Sequence, residues 1–478
     1  MTATGSRRAD LAIDHGVITA IEPDLAAAAV TASTVLDADG MLVLPGAVDV
    51  HTHTRVASDA EPDRFFQDSV AAAFGGTTTF LSFNNPGTGS SPTAERSLAT
   101  GLAEWQAATA NDSAIDYGLA LAISGRADDP LSEIPATIEA GVATSKAFMV
   151  FDFRLDDSTL FEAMRVMGQR GGMLQVHCED PVLLDAGVAA ALGRGETAPR
   201  YHAASRPPYV EAVATARAIA FARATDSPIH IVHLSSAAAL DEVRRGKAAG
   251  VRVTAETCPH YLTLTDAVYE TPDPVDCACF VISPPLRSTA DRDALWSGLA
   301  DGTLDLVATD HVPDRRSIEK SEAGRGIPFD RISNGAPGIE TLLAIMYGEG
   351  VARGRITIER MVDLVATTPA RRFGTGRKAP SRSGWTVTSC CSTRVRAVSC
   401  GRPICITPAT TRHMKASKSR GRFALCLCAV VPSWRTVSSS ANVAMGGSSS
   451  AERSQAESGP GGVVDVQRRR QASTASPR

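Results

Sequence analysis

Short apolar runs alternate with helical patterns through most of the chain. Each run is about five to eight residues long, the usual length of a strand. Between the runs, stretches rich in Ala, Glu and Arg carry the pattern of helices, for example at residues 160–169, 209–224 and 237–248. The apolar runs predict strands at residues 77–83, 143–150, 173–177, 229–234, 251–256 and 304–309.

The strand-then-helix repeat continues for roughly 250 residues and predicts an α/β fold. Parallel strands need crossover connections, and a repeat of this length is what a closed (β/α)8 TIM-like barrel requires. An open doubly wound sheet is the alternative, but no GxGxxG fingerprint follows an early strand. We therefore expect the barrel.

The N-terminal 45 residues follow a different pattern. They predict a hairpin across residues 12–21 with a turn at His15 and Gly16, then short strands at 34–36 and 41–44. Residues 1–45 are thus expected to form strands of a small companion domain, and residues 46–378 the barrel.

The composition narrows the class of partner. With 44% hydrophobic residues, a chain of 478 residues can bury a large core. A net charge of -4 argues against nucleic acid or an anionic membrane as a partner, which leaves small molecules. Residues 1–10 lack a long apolar segment, and no apolar stretch of about 18 residues occurs anywhere. We expect a cytoplasmic protein that does not span a membrane.

Ligand-type side chains follow several predicted strands. Alternation along the strand that ends in Val48-Asp49-Val50-His51-Thr52-His53 puts His51 and His53 on one face, where both can bind one metal. An HxH pair alone is a weak signal, since a buried histidine is usually structural. The ends of parallel barrel strands converge on one face. Four further predicted strands end in ligand-type residues, namely Lys146, His177, His233 and Asp310.

Lys146 is the unusual member of this set. An ammonium has no lone pair and repels a dication, whereas the carbamate formed with carbon dioxide is an anion with two oxygens that can bridge two metals. An ion-paired surface lysine is the alternative. The apolar run at residues 147–150 argues against it, because burying an unpaired ammonium is costly.

A set of motifs in fixed order resembles the cyclic amidohydrolases, which include hydantoinase, dihydropyrimidinase, allantoinase and dihydroorotase. The resemblance covers residues from about 9 to 378 and implies a barrel with a small β-sandwich domain beside it. The motifs are Pro45-Gly46, the HTH at 51–53, Gly75-Gly76-Thr77-Thr78, Ser145-Lys146-Ala147-Phe148-Met149, Val176-His177-Cys178-Glu179, Val232-His233-Leu234-Ser235-Ser236, Ser283-Pro284-Pro285-Leu286-Arg287, Ala308-Thr309-Asp310-His311 and Ser333-Asn334-Gly335.

The resemblance further implies a binuclear zinc hydrolase that opens a cyclic amide with a hydroxide held between the ions. Asp310 would also move a proton from that hydroxide to the departing ring nitrogen. The backbone at Ser283 and Asn334 would bind the ring amide, and a homo-oligomer, either a dimer or a tetramer, is expected. The predicted ligands of the two Zn²⁺ ions are His51, His53 and Asp310 on one ion, His177 and His233 on the other, and carbamylated Lys146 as the bridge.

The ring substrate is less well defined by the motifs. Hydantoinases commonly have a tyrosine five residues after the bridging lysine, where this chain has Phe151. Residues 256–261 resemble allantoinases, and Arg55 resembles the arginine with which dihydroorotases bind a carboxylate, although it could equally be a solvated loop residue. Residues 63–66 and 332–335 are closer to the hydantoinase and dihydropyrimidinase pattern, which we therefore favour.

The alternative to an enzyme is a protein with a non-catalytic function. Some dihydropyrimidinase-like proteins have lost their metal ligands and serve as structural or signalling partners. All six ligand positions are filled in this chain. This favours the enzyme.

The last 100 residues differ from the rest in composition. Residues 1–378 carry 33 Lys+Arg and 49 Asp+Glu, whereas residues 379–478 carry 15 and 3, giving balances of -16 and +12 that sum to -4. Six of the ten cysteines also lie there, so the cysteine count does not indicate a disulfide framework.

A change of reading frame explains this segment. Residues 379–394 can be back-translated into codons and read again in the frame that starts at the last base of the Lys378 codon. Allowed codons then encode Gly-Ala-Ile-Ala-Val-Gly-Met-Asp-Gly-Asp-Leu-Val, a segment that resembles the family's C-terminal strands. We expect residues 379–478 to be out of frame and the partner strands of the sandwich to be lost. A genuine basic disordered tail is the alternative.

Overall fold

A sheet of eight parallel strands forms the centre of the structure. The computed structural model describes residues 1–14, 17–29, 31–32, 35–36, 38, 40–55, 64–84 and 97–374. The segment predicted to be out of frame, residues 379–478, lies outside the described residues. The strands are β1 Asp10–Asp14, β2 Val17–Glu22, β3 Ala47–Thr52, β4 Thr77–Asn84, β5 Asp116–Ala122, β6 Thr144–Phe148, β7 Met173–His177, β8 Ile229–Ile231, β9 Val253–Thr257 and β10 Leu306–Val307.

The parallel sheet runs in chain order from β3 to β10 and then closes. Beyond β10, His311 forms a parallel bridge with Thr52, and the His53 amide donates to the His311 carbonyl at 2.7 Å. The buried carboxylate of Asp49 accepts from the Thr309 amide at 3.1 Å and from its hydroxyl at 2.5 Å. The first and last strands therefore meet, and the predicted (β/α)8 barrel is confirmed.

Helices separate most of the parallel strands, as the sequence pattern predicts. Short 3-10 turns lie at Asp266–Glu270, Ser321–Arg325, Phe329–Arg331 and Ile339–Thr341, and π-helical turns at Met346–Val351 and Asp363–Thr367. The α-helices are α1 Ala26–Ala29, α2 Arg64–Phe74, α3 Leu98–Thr109, α4 Ile134–Glu139, α5 Asp157–Gln169, α6 Pro181–Gly193, α7 Tyr201–Ala204, α8 Pro208–Thr225, α9 Ala237–Ala248, α10 Pro259–Thr263, α11 Pro274–Ala278, α12 Thr289–Asp301, α13 Leu342–Ile345, α14 Ile358–Val362 and α15 Thr368–Phe373.

Local signals explain where several helices begin and end. The hydroxyl of Ser236 accepts from the Ala239 amide at the start of α9. At α12, Ser288 and Asp291 form a reciprocal capping box, and Gly302 ends the helix with φ of 85°. These side chains satisfy backbone groups that helix ends leave without partners.

Alternation along the strands separates an apolar face from a polar one. On β7, Leu174 and Val176 pack in the core with buried residues of the surrounding helices. Gln175 and His177 point the other way, and both are buried. Strand β7 thus presents apolar side chains to the helices and polar side chains to the barrel interior.

The N-terminal residues form a small sheet beside the barrel. Strands β1 and β2 are antiparallel, which confirms the predicted hairpin. The predicted strand at residues 41–44 is wrong, because these residues adopt no strand. Leu44 is buried, but Met41 and Leu42 are about one-third exposed. A strand requires a paired neighbour, and within the described part of the chain no strand pairs with this run. The Val43 carbonyl instead accepts from the N-terminal ammonium of Met1 at 3.1 Å.

Two further observations concern the described residues. None of their helices combines the length and the apolar character needed to cross a membrane. Their four cysteines, which are Cys178, Cys258, Cys277 and Cys279, are all free.

Gly75 is predicted to tolerate no side chain. A Cβ there would lie 2.1 Å from the carbonyl oxygen of Ile339, which is backbone and cannot move aside. We expect Gly75→Ala to lower the free energy of unfolding by about 1–3 kcal/mol, the usual cost of overpacking. The matched control is Gly193→Ala, where a Cβ meets nothing within 4 Å. Urea denaturation checks both, and equal stability of the two variants would contradict the prediction.

Candidate metal centre and active site

His51 and His53 bring two imidazole nitrogens together at the end of β3. Both side chains are buried, and their Nε2 atoms lie 3.2 Å apart. Burial lowers the pKa of His53 to about 4. His53 is therefore neutral near pH 7 and offers a lone pair rather than a proton.

Asp310 completes a triangle with these two nitrogens. Its Oδ1 lies 3.1 Å from Nε2 of His51 and 3.1 Å from Nε2 of His53. In a tetrahedral zinc site with bonds of about 2.0–2.1 Å, neighbouring ligand atoms are about 3.3 Å apart. Burial opposes the charge of Asp310, but the adjacent His51 imidazole holds its pKa well below the usual range. The three atoms therefore fit one face of a metal coordination sphere.

A second pair of histidines lies beside this triangle. His177 ends β7, His233 follows β8, and Nδ1 of the first lies 2.9 Å from Nε2 of the second. Burial lowers the pKa of both imidazoles. Ligand atoms of His51, His233 and Asp310 all lie within 4.8 Å of one another. The side chains of His51, His53, His177, His233 and Asp310 thus share one cluster, and imidazole and carboxylate groups are donors that divalent metal ions bind.

Lys146 lies within the same cluster, but not at the end of its strand as predicted. It is the third residue of β6 and fully buried, because alternation turns its side chain into the barrel. Its Nζ is 2.6 Å from Nε2 of His51 and lies over the rings of Phe83 and Phe148. Burial lowers the pKa of Lys146 to about 8. A minority of the amine, roughly one tenth to one fifth, is therefore neutral near physiological pH.

Two buried glutamates accept hydrogen bonds from histidines of the cluster. Glu256 accepts a hydrogen bond from Nδ1 of His51 at 2.5 Å, and Glu179 accepts one from Nε2 of His177 at 2.9 Å. Burial acts against their charge, but His51 and His230 lower the pKa of Glu256 to about 2. Arg206, 3.5 Å from Glu179, and His177 have the same effect on that carboxylate.

Sequence reasoning assigned no function to either glutamate. The spacing of the two glutamates was a usable signal. Each glutamate lies two residues from another inward-facing residue, and side chains two residues apart share a face of a strand. Glu179 follows His177 by two residues, and Glu256 follows Thr254 by two. Asp49, which joins the first and last barrel strands, was also missed and precedes His51 by two.

Comparisons with known proteins agree on one family. A family model for dihydro-orotase-like proteins matches residues 40–239. The D-hydantoinase of Ralstonia pickettii is 40% identical over 379 residues, covering 78% of this chain and 80% of that protein. The chain belongs to the hydantoinase and dihydropyrimidinase family. The family assignment made from the order of the motifs is thereby confirmed.

Solved structures of the family share the fold. The dihydropyrimidinase of Brevibacillus agri NCHU1002 is 36% identical, with a TM-score of 0.72 over 80% of this chain and 81% of that chain. The D-hydantoinase of Bacillus sp. AR9 is 35% identical, also with a TM-score of 0.72, over 82% of this chain and 83% of that chain.

The side chain of Phe151 lies against the histidine cluster and carries no polar group. Its ring centroid lies 5.4 Å from that of His177 and 5.9 Å from that of Phe148. Its φ of 72° is in the left-handed region, which a bulky residue rarely adopts. The surrounding contacts therefore hold a strained backbone at Phe151.

The two residues predicted to bind the ring amide are neighbours. The Ser283 hydroxyl donates to Oδ1 of Asn334 at 2.9 Å. The buried ammonium of Lys320 donates to the carbonyls of Val281 at 3.0 Å and Ser333 at 2.5 Å. One lysine therefore ties together the two segments that carry Ser283 and Asn334. Substrate binding by these residues stays a prediction.

Arg55, the other predicted substrate contact, is engaged with protein carboxylates. Its Nη2 lies 2.5 Å from Oδ1 of Asp314, and its Nη1 lies 2.5 Å from Oε1 of Glu319. Asp314 is fully buried as a side chain and also lies 3.3 Å from the ammonium of Lys320. A substrate carboxylate would have to compete with both of these ion pairs.

We expect Arg55→Ala to destabilise the protein, because it leaves the buried Asp314 with fewer cationic partners. The free energy of unfolding should fall by about 1–3 kcal/mol. The matched control is Arg165→Ala, which removes an exposed ion pair to Glu162 and should leave stability nearly unchanged. Chemical denaturation measures both. Unchanged stability of Arg55→Ala, with selective loss of activity on acidic rings, would instead identify Arg55 as a substrate ligand.

Proposed function

We propose that this chain hydrolyses cyclic amides of the hydantoin or dihydropyrimidine type with a pair of zinc ions. The observation that carries the proposal is the convergence of six side chains in one buried cluster of a hydantoinase-family barrel. His51, His53 and Asp310 would hold one ion, and His177 and His233 the other. The ligand atoms of His51, His53 and Asp310 lie about 3.1–3.2 Å from one another, close to the spacing of ligand atoms around one zinc ion. This spacing supports the assignment.

Lys146 would bridge the two ions as a carbamate. A neutral amine is the form that attacks carbon dioxide, and burial lowers the pKa of Lys146 enough to supply it. The product is an anion in a cluster that is otherwise rich in neutral imidazoles. When bound, the two dications lower the pKa of a water molecule and polarise the scissile carbonyl.

Asp310 would move the proton during ring opening. Water oxygen adds to the carbonyl carbon, the ring carbon–nitrogen bond breaks, and the departing nitrogen takes up a proton. The Asp310 carboxylate is suited to accept the proton from water and deliver it to nitrogen, because it is ionised and lies at the centre of the cluster. No covalent intermediate with the protein is required.

An allantoinase-like or dihydroorotase-like activity is the second candidate. The match of residues 40–239 to the dihydro-orotase-like family model supports it. The ion pairs of Arg55 count against an acidic substrate. A non-catalytic function is not favoured, because the ligand cluster is complete. The cytoplasmic location and the dimeric or tetrameric state stay predictions.

Substrate choice is tested by a hydrolysis panel on the zinc-loaded protein. We expect 5-alkyl or 5-aryl hydantoins and dihydrouracil to be opened with kcat/KM at least about tenfold above that of dihydroorotate, since neutral rings need no cationic contact. Allantoin, which is also neutral, is included to test the allantoinase-like candidate. Asp310→Asn is the control and should lose about 10²–10⁴-fold in kcat. Preference for dihydroorotate would support the second candidate.

Removal of Lys146 tests the bridge. Wild-type protein should bind about two zinc equivalents. We expect Lys146→Ala to lose zinc and activity together, and short carboxylic acids to restore part of both by replacing the carbamate oxygens. The control is Lys247→Ala on α9, whose ammonium pairs with Asp305 directly before β10. Metal analysis and a rate assay measure the effect, and full activity of Lys146→Ala would exclude the bridge.

A further inference from the structure

We propose that Glu256 is a positioning residue that links the two halves of the metal centre. The inference rests on the proposed function, because it concerns residues expected to hold both ions. Glu256 lies on β9 and is fully buried. Its Oε1 accepts from Nδ1 of His51 at 2.5 Å and from the backbone amide of His233 at 3.3 Å. One carboxylate oxygen thus contacts one predicted ligand of each ion.

The contact with His51 sets which nitrogen of that imidazole is free. Oε1 of Glu256 lies 2.5 Å from Nδ1 of His51, so a neutral His51 ring that donates to this carboxylate carries its proton on Nδ1. The lone pair is then on Nε2, which is the atom in the triangle with His53 and Asp310. Loss of this contact would let the ring rotate or exchange tautomers, and either change removes a donor from the cluster.

The contact with His233 supports a strained backbone. His233 has φ of 38°, in the left-handed region that is costly for residues other than glycine. The side chain of Glu256 accepts from the His233 amide. The main-chain carbonyl oxygen of Glu256 accepts from the Leu234 amide at 2.8 Å. Consecutive amides of the turn are therefore bound to the same residue. This arrangement holds the His233 ring in place opposite His177.

The second carboxylate oxygen is anchored deeper in the barrel. Oε2 of Glu256 accepts from Nε2 of His230 at 2.9 Å, while Nδ1 of His230 lies 2.8 Å from the hydroxyl of Thr254. This anchor fixes the rotation of the carboxylate, so that Oε1 can face His51 and His233 together. His230 therefore acts through Glu256 and does not itself contact Asp310 or the other predicted ligands.

Glu179 provides a natural comparison. It contacts the side chain of one predicted ligand, His177, and its charge is balanced by Arg206. Among the hydrogen bonds of the described residues, none joins it to a ligand of the other ion. The two glutamates should therefore differ in how many metal sites depend on them.

The test compares Glu256→Gln with Glu179→Gln in the full chain. Metal-free protein is titrated with Zn²⁺ against a chromophoric chelator, and bound zinc is counted. We expect Glu256→Gln to weaken both sites together by about 10–100-fold, the range for loss of a partner behind a metal ligand. Glu179→Gln should weaken one site only. Thermal unfolding of the metal-free proteins should be similar if the variants fold.

A second variant covers the case in which Glu256→Gln does not fold. His230→Gln removes the anchor but leaves the carboxylate, and a smaller loss of affinity at both sites is expected. Glu256→Asp should recover more affinity than Glu256→Gln, since it keeps the charge. If wild-type protein binds two ions and neither Glu256→Gln nor His230→Gln alters either affinity, the inference is wrong. If wild-type protein binds no zinc, the proposed function fails and the inference with it.

Discussion

Closure of the barrel between β3 and the segment after β10 is the constraint on which the site depends. Asp49 binds the amide and hydroxyl of Thr309, and the amide of His53 binds the carbonyl of His311. These contacts join residues about 260 positions apart in the chain. They bring Asp310 to within 3.1 Å of both histidines of the HxH motif. An open sheet would leave these two strands at opposite edges.

The charged side chains of the barrel interior are buried, so their charges must be balanced locally. An isolated buried ion is costly, and burial changes the pKa of nearly every titratable group there. Asp310 and Glu256 remain ionised because the neighbouring imidazoles stabilise their charge, whereas burial lowers the pKa of Lys146 to about 8, so that a minority of its amine is neutral near pH 7. The carboxylates and imidazole lone pairs of this cluster are groups that can bind metal ions, and bound metal ions would supply positive charge to balance the carboxylates.

Backbone strain is concentrated in the same region. Within the described residues, five non-glycine residues have left-handed φ, and Phe151, His233 and Asp310 are three of them. Such conformations persist only where neighbouring contacts hold them. Glu256 provides those contacts for His233. For Phe151, the result is an apolar ring against His177, with ring centroids 5.4 Å apart.

The sequence by itself determined the strand-and-helix repeat, the hairpin at the N-terminus and the residue types that make up the metal centre. These follow from local rules, since alternation along a strand and spacing along a helix are visible in short windows. The same rules failed at residues 41–44, because an apolar run becomes a strand only where a neighbour pairs with it.

Only the tertiary structure decided which of these residues meet. Lys146 was expected at a strand end but lies within β6, and Glu256 reaches His51 across 205 positions of sequence. Likewise, Arg55 is expected from sequence to face a substrate, but it meets Asp314 and Glu319 on a loop far along the chain. Such pairings depend on the register of all eight strands and on closure of the barrel, which no short stretch of sequence contains.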